Sequence, residues 1–305
     1  MYLQIRVGIN EAFRRDGIMA LEVEDAIIIA AGKGTRMLPA SLYSPKEFLP
    51  LIDVPAIHHI ISETLRAGIK RIHIVISEEK REYVEKLLSC KNESRPSSLT
   101  TENIKPILAL IPNDLEYIIH VQEEQRGVGD AISCAISAVS GPCLVLLGDN
   151  LLLPPKISGY YEDFHAESSN ASKELVNAYQ EKGLAVAGIT AVNEVSESKY
   201  GVVSVEDGFI VDIVEKPKFQ GRVENMVLCG RYVFPPGLEK ILKKKEITDL
   251  GEMQSIGVLM DYSRKEGLLG HFLGEYRWYD FGTPTSWLRA QIDHAKCRSD
   301  IDLES

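Results

Sequence analysis

An unbroken β-branched run, AIIIA at 26–30, opens the regular pattern of this chain. A strand with no polar alternation is one buried on both faces, as in a parallel sheet. A glycine turn follows, and then helical periodicity over 56–67 puts Ile57, Ile60, Ile61 and Leu65 on one side. RIHIVI (71–76) reads as a second strand and EKREYVEKLL (79–88) as an exposed helix. YIIHV (117–121), a helix over 131–138 and CLVLLG (143–148) continue the alternation. Strand, helix and strand in this rhythm predict a doubly wound α/β sheet.

Past Asn150 the pattern changes. A polar helical stretch is expected over 157–181, before the apolar run GLAVAGITAV (183–192). In YGVVSVEDGFIVDIVEKP the pair Asp207-Gly208 separates two alternating runs, a hairpin signal. A strand over Val227–Phe234, helices over 236–245 and 251–265, and a last helix capped by Thr283 with Pro284 in its first turn complete the reading. The expected class is therefore α/β, a Rossmann-like mixed, largely parallel sheet flanked by helices. Residues 1–24 read as an amino-terminal extension, with Met19 a second possible start, and the polar segment 90–103 as an excursion from the core.

Composition narrows the function. Thirty-four Lys and Arg against 44 Asp and Glu leave a net charge of −10, which disfavours nucleic acid as a partner. No apolar run reaches the roughly 18–20 residues of a membrane span, and no secretory signal is read. Cysteines 90, 134, 143, 229 and 297 are odd in number and form no CxxC pair, so reduced thiols and a cytoplasmic location are expected.

The segment Ala30–Pro50, AAGKGTRMLPASLYSPKEFLP, carries the sharpest chemistry. A buried strand running into Gly32-Lys33-Gly34 can aim backbone amides at phosphate. A dinucleotide fingerprint would need a third glycine where Met37 stands and a helix that Pro39, Pro45 and Pro50 forbid; Asp53 lies near the expected acidic position, but the helix is missing. The Walker pattern is absent. Against a bland turn with solvated Lys33, Arg36 and Lys46 stands their convergence on the carboxyl end of the first strand, where open α/β sheets bind ligands.

GKGTRMLP followed by SPKEFLP resembles the signature of the nucleoside-diphospho-sugar pyrophosphorylases. The resemblance continues in order through VQEEQRGVGDAI (121–132), LLGDN (146–150), YGVV (200–203), VEKP (214–217), GRYVF (230–234), GEMQ (251–254) and WYDFGTP (278–284). It implies the nucleotide-diphospho-sugar transferase fold, with residues 25–150 as a nucleotide-binding half and 151–305 as a sugar-phosphate half of one continuous catalytic domain. The implied substrates are UTP and glucose 1-phosphate, the implied cofactor Mg²⁺, and the implied assembly a homo-oligomer, dimer or tetramer. A sugar phosphate oxygen would attack the α-phosphorus in line and pyrophosphate would leave, with catalysis by positioning and electrostatics.

The resemblance also implies roles. Gly32 and Gly34, with neighbouring Ala31 and Thr35, cradle the triphosphate; Arg36 holds the leaving phosphates and Lys46 the transferred group. Gln122 and Gly127 read a pyrimidine. Asp149 and Asp280 hold Mg²⁺. Glu215 and Gly201 receive the sugar, and Lys216 grips its phosphate. The alternatives are a turn or cap role for Asp149, a satisfied turn carboxylate for Asp280, and a surface ion pair for Glu215-Lys216, worth little energetically. LLGDN is nearer the thymidylyltransferase form, so dTTP remains open beside UTP, because one methyl is discriminated by only ~1–3 kcal/mol. A nucleotide-sugar-binding regulator without catalysis is the reading of another class; Arg36, Lys46, Asp149 and Lys216 together argue against it.

Overall fold

In β1 (Asp25–Ile29) successive residues enter opposite cores: Ala26 and Ile28 pack on one face of the sheet, Ile27 on the other. That is the two-residue period of a strand with no solvent face. The computed structural model describes residues 21–89, 115–157, 164–197, 200–243 and 255–303. In chain order there follow α1 (Ala56–Arg66), β2 (Arg71–Ile76), α2 (Arg81–Ser89), β3 (Glu116–Val121), α3 (Val128–Ile136), β4 (Cys143–Leu147) and β5 (Asn150–Leu153). Then come α4 (Ala171–Lys182), β6 (Ala185–Glu197), β7 (Gly201–Glu206), β8 (Phe209–Glu215) and β9 (Lys218–Phe234). Helices α5 (Leu238–Leu242) and α6 (Ser255–Lys265), strands β10 (Leu268–Phe272) and β11 (Arg277–Asp280), and α7 (Pro284–Cys297) finish the chain.

Nine strands form one mixed sheet in the order β3-β2-β1-β4-β9-β6-β10-β8-β7. The β1–β2, β1–β4 and β2–β3 pairs are parallel, as the buried runs imply; β9 then enters antiparallel to both β4 and β6. Strand order reverses between β1 and β4, so a crevice opens at their carboxyl ends. Helices α1 and α4 cover one face through Ile57, Ile60, Leu175 and Tyr179, and α3 and α6 cover the other through Ala131, Ile132, Leu259 and Tyr262. The Asp207-Gly208 hairpin forms as expected, with Asp207 at φ 49° and Gly208 at φ 83°.

Two expectations need correction. In the helix expected over 157–181, positions 158–163 lie outside the described residues, 164–170 are not helical, and α4 begins at Ala171. Ser168 bonds back to Phe164 O, Ser169 Oγ accepts from Ala171 N, and Asn170 accepts from Arg66, so these residues make a turn before the helix. The helix expected over 236–245 is the short α5, and the one expected over 251–265 is described over Ser255–Lys265; positions 244–254, including GEMQ, lie outside the described residues, as do the extension 1–20 and the 90–103 excursion. Thr283 caps α7 as expected, its Oγ1 accepting from Ser286 N at 3.2 Å.

Helix α7 is joined to α1 by two buried histidines. His59 and His294 meet edge to face at 5.7 Å, and His59 Nε2 and His294 Nδ1 have no hydrogen-bond partner among the described residues. Burial, reinforced by the charges of Arg277 and Arg298, holds the His294 imidazole down at about 4; burial also holds His59 well below the ordinary histidine value. Between about pH 6.5 and pH 4 the unfolded chain therefore takes up protons that the folded chain refuses. Stability should fall as pH is lowered through that window and be insensitive to these groups above it. Replacing His294 by Leu should flatten the dependence of the melting temperature on pH between 7 and 5; an unchanged slope would contradict the assignment.

Candidate active site

The glycine turn after β1 is held open from behind. Lys80, only 6% exposed, donates from Nζ to Ala30 O (2.6 Å), Gly32 O (2.8 Å) and Glu47 Oε2 (2.9 Å). With those carbonyls drawn inward, the amides of the turn face the opposite way. Gly34 takes φ 66°, a left-handed conformation that favours glycine, and its carbonyl accepts from Ser41 Oγ at 2.8 Å. Thr35–Met37 then form a single 3₁₀ turn with Met37 buried, so the proline-rich segment is irregular as expected.

Lys46 comes from the next such turn, Lys46–Phe48, and its buried ammonium pairs with Asp149 Oδ2. Burial alone would lower the Lys46 value, but the carboxylates of Asp149 and Glu47 outweigh it and hold the ammonium charged. Burial likewise disfavours the Asp149 carboxylate, and Lys46 more than compensates, so Asp149 sits below the usual range. Asp280 is displaced the other way, raised by burial and by the neighbouring Asp149 charge. Two carboxylates and one ammonium share this junction, with the Arg36 guanidinium so close above Gly282 that a Cβ there would lie 2.8 Å from its Nη2.

Asp149 is oriented from several sides. Gly148 N donates to Ile29 O at 2.8 Å, and a Cβ on Gly148 would approach that oxygen to 2.7 Å, so the turn tolerates only glycine. Asn150 Nδ2 donates to Asp149 Oδ1 (2.9 Å), while Trp278 Nε1 donates to Asn150 Oδ1 (3.0 Å). Asp280 does not end a strand of the main sheet. It ends β11, which pairs antiparallel with β5 in a separate two-stranded ribbon that sets Asp280 opposite Asn150.

Two cavities meet at Asp149. One, of about 260 Å³, is lined by Gly32, Lys46, Gln122, Gly127 and Asp149; the other, of about 280 Å³, by Arg36, Asp149, Gly201, Glu215, Lys216 and Asp280. Gly34 lines a neighbouring hollow with Gly32, Lys46 and Lys80. Ala31 and Thr35 line none of these: Ala31 is buried in the core, and Thr35 is exposed at the start of its turn. Lys216 adopts φ 44°, a strained value for a side-chain-bearing residue, and its N–H donates to Tyr200 O at 3.1 Å. Its ammonium is exposed and lies 3.1 Å from Glu215 Oε1.

Sequence reasoning missed Lys80, which sits in a charged run that reads as a solvated helix face. It gave no role to Glu47, Asp130, Asn150 or Arg231, although all four fall within the quoted motifs. Among the described residues no three His, Cys, Asp or Glu gather into a metal cluster.

The Nucleotidyl transferase family model matches residues 25–296, and this chain belongs to that family. It is 31% identical over 288 residues to UTP–glucose-1-phosphate uridylyltransferase 1 of Staphylococcus saprophyticus, an alignment covering 90% of this chain and 93% of that protein. A UTP–glucose-1-phosphate uridylyltransferase of Staphylococcus epidermidis is 31% identical over 90% of this chain and 93% of its own. Among solved structures, a UDP-glucose pyrophosphorylase complexed with UDP-glucose superposes with a TM-score of 0.72 at 26% identity, over 90% of this chain and 100% of that one. A putative glucose-1-phosphate thymidylyltransferase from Bacillus anthracis shares the fold at a TM-score of 0.69 and 21% identity, over 92% of this chain and 97% of that one.

Lys80→Met would leave two carbonyls and the buried Glu47 carboxyl without the hydrogen bonds that Lys80 donates. The affinity for a nucleoside triphosphate, measured by calorimetry, should weaken on the order of tenfold, about 1.4 kcal/mol. Unchanged affinity in a folded variant would reduce Lys80 to a role in the fold alone.

Proposed function

We propose that this chain is a Mg²⁺-dependent uridylyltransferase that converts UTP and glucose 1-phosphate to UDP-glucose and pyrophosphate. The observation that carries it is the junction itself: two cavities of different lining open onto one buried Lys46–Asp149 pair. The likeness to enzymes named for this reaction supplies the substrates.

UTP occupies the first cavity, its base against Gln122 and Gly127 and its phosphates along the amides of the Gly32–Gly34 turn; Ala31 and Thr35 contribute backbone only. Lys46 neutralises the α-phosphate, and Arg36 stabilises the β- and γ-phosphates as they leave. Glucose 1-phosphate occupies the second, with Glu215 accepting from sugar hydroxyls, Gly201 offering backbone contact and Lys216 holding the phosphate in line. The sugar phosphate oxygen forms a bond to the α-phosphorus as the bond to the bridging oxygen breaks, and that oxygen departs with pyrophosphate. No protein nucleophile is needed.

The donor set fits magnesium: two carboxylates, Asp280 being raised by its burial and by the Asp149 charge beside it, and room for phosphate oxygens. Asp149 and Asp280 would hold the ion, which supplies charge neutralisation between the two polyanions. Residues 25–150 supply most of the nucleotide cavity and residues 151–305 most of the sugar cavity, which supports the two-half organisation. A homo-oligomer and a cytoplasmic location belong to the same proposal; no described helix is long and apolar enough to cross a membrane.

Pyrophosphate release with glucose 1-phosphate should be fastest with UTP among UTP, dTTP, CTP, ATP and GTP; a preference for dTTP would overturn the nucleotide assignment. Lys216→Ala should raise the KM for glucose 1-phosphate and lower turnover, while UTP affinity stays unchanged. Normal saturation by the sugar phosphate would leave Lys216 in a surface ion pair only.

A further inference from the structure

The side chain proposed to read the base is itself held in one orientation. Gln122, 3% exposed, follows β3, and both hydrogens of its amide are engaged away from the ligand. Nε2 donates to Asp130 Oδ2 at 2.7 Å and to Gly127 O at 3.2 Å. The other Asp130 oxygen, Oδ1, accepts from Arg126 Nη2 at 3.1 Å and Nε at 3.3 Å. An ionised carboxylate beside a guanidinium can only accept hydrogen bonds, so Asp130 admits the nitrogen of the amide and repels its oxygen. The two ends of a glutamine amide are nearly identical in shape, and only such a partner tells them apart. With Nε2 so engaged, Oε1 is the end of the amide left for a ligand in the cavity that Gln122 lines. Gly127, at φ 96°, caps α3, and Asp130 lies in the first turn of that helix, so one rigid turn carries both partners of the amide.

We propose that Asp130, steadied by Arg126, is a specificity-determining positioning residue: it fixes Gln122 with Oε1 toward the base and thereby selects a pyrimidine bearing an N–H at N3. The inference rests on the reading that the base lies against Gln122. Uracil and thymine present a donor at N3, whereas cytosine presents a lone pair that Oε1 opposes. The device separates uracil and thymine from cytosine; it does not separate uracil from thymine.

The test is kcat/KM for UTP and for CTP, at saturating glucose 1-phosphate, in the wild-type chain and in Asp130→Asn, Asp130→Ser and Gln122→Ala. In Asp130→Asn the new amide gives its oxygen to Arg126 and its nitrogen to Gln122, so the glutamine can turn over. In Asp130→Ser the hydroxyl accepts or donates and no longer discriminates, and this smaller side chain serves as the second variant should the first fold poorly. Both should reduce the UTP-over-CTP preference about tenfold, with the KM for glucose 1-phosphate unchanged. A purely structural role would slow both nucleotides together and leave the ratio intact. An intact ratio in both Asp130 variants, with the ratio collapsed in Gln122→Ala, would overturn the proposal. An intact ratio in Gln122→Ala as well would overturn the placement of the base on which the proposal rests.

Discussion

The turn that carries Asp149 is hung from one fully buried ion pair. Arg231 and Glu63 have essentially no exposure, and the guanidinium meets the carboxylate with two parallel bonds, Nε to Oε1 and Nη2 to Oε2, both 2.9 Å. Desolvating two charges costs several kcal/mol each, and the pair is tolerable only because the remaining donors are also satisfied. Those donors go to Asn150 O (2.8 Å), Gly230 O (3.2 Å) and Leu147 O (3.4 Å). Arg231 thus grips both ends of the turn that carries Asp149, while Glu63 anchors it to α1 and takes a further bond from Ser172 on α4. The long strand β9 makes this possible. Its pairing with β6 shifts register between Leu228 and Tyr232, and Gly230 at φ 77° lets the backbone approach Leu147 and Asn150 closely.

Around that fixed turn the site is built from charges that need one another. Asp149 is kept ionised by Lys46, while Glu47 is raised by its burial against the opposing charges of Lys80 and Lys46, and Asp280 is raised because burial and Asp149 act on it together. Lys80 couples this network to the glycine turn by holding its carbonyls, so the same buried lysine orders both charge and backbone. In the proposed reaction the centre that would receive two polyanions is in this way preorganised before either arrives, which is where electrostatic catalysis gains its effect.

Much of this was legible along the chain, and the reasons are local. The buried runs of β1, β2 and β4 have a periodicity that only a sheet covered on both faces allows, and Thr283-Pro284 announces its own helix. The Gly32–Gly34 turn, Arg36, Lys46, Gln122, Asp149 and Lys216 all stand at strand ends or turns, and they line the adjoining hollows there. Lys80 was not legible: in a run of charges, a lysine that turns inward looks like any lysine that does not. Nor was the route of Asp280, whose strand leaves the main sheet for a ribbon with β5, because pairing partners are not written in a four-residue segment. Ala31 turns its side chain to the core and Thr35 to solvent, so what either can offer a nucleotide is backbone.

The claim that the buried pair exists to hold the Asp149 turn can be tested by separating stability from turnover. Glu63→Gln leaves a buried guanidinium uncompensated and should cost about 3–5 kcal/mol of stability. The double variant Glu63→Leu with Arg231→Met replaces both charges by apolar groups and should recover much of that loss. The decisive measurement is turnover of the double variant at saturating substrates. The account predicts a stable protein with turnover reduced at least about tenfold, since the carbonyls around Asp149 have lost their clamp. A stable double variant with wild-type turnover would contradict it.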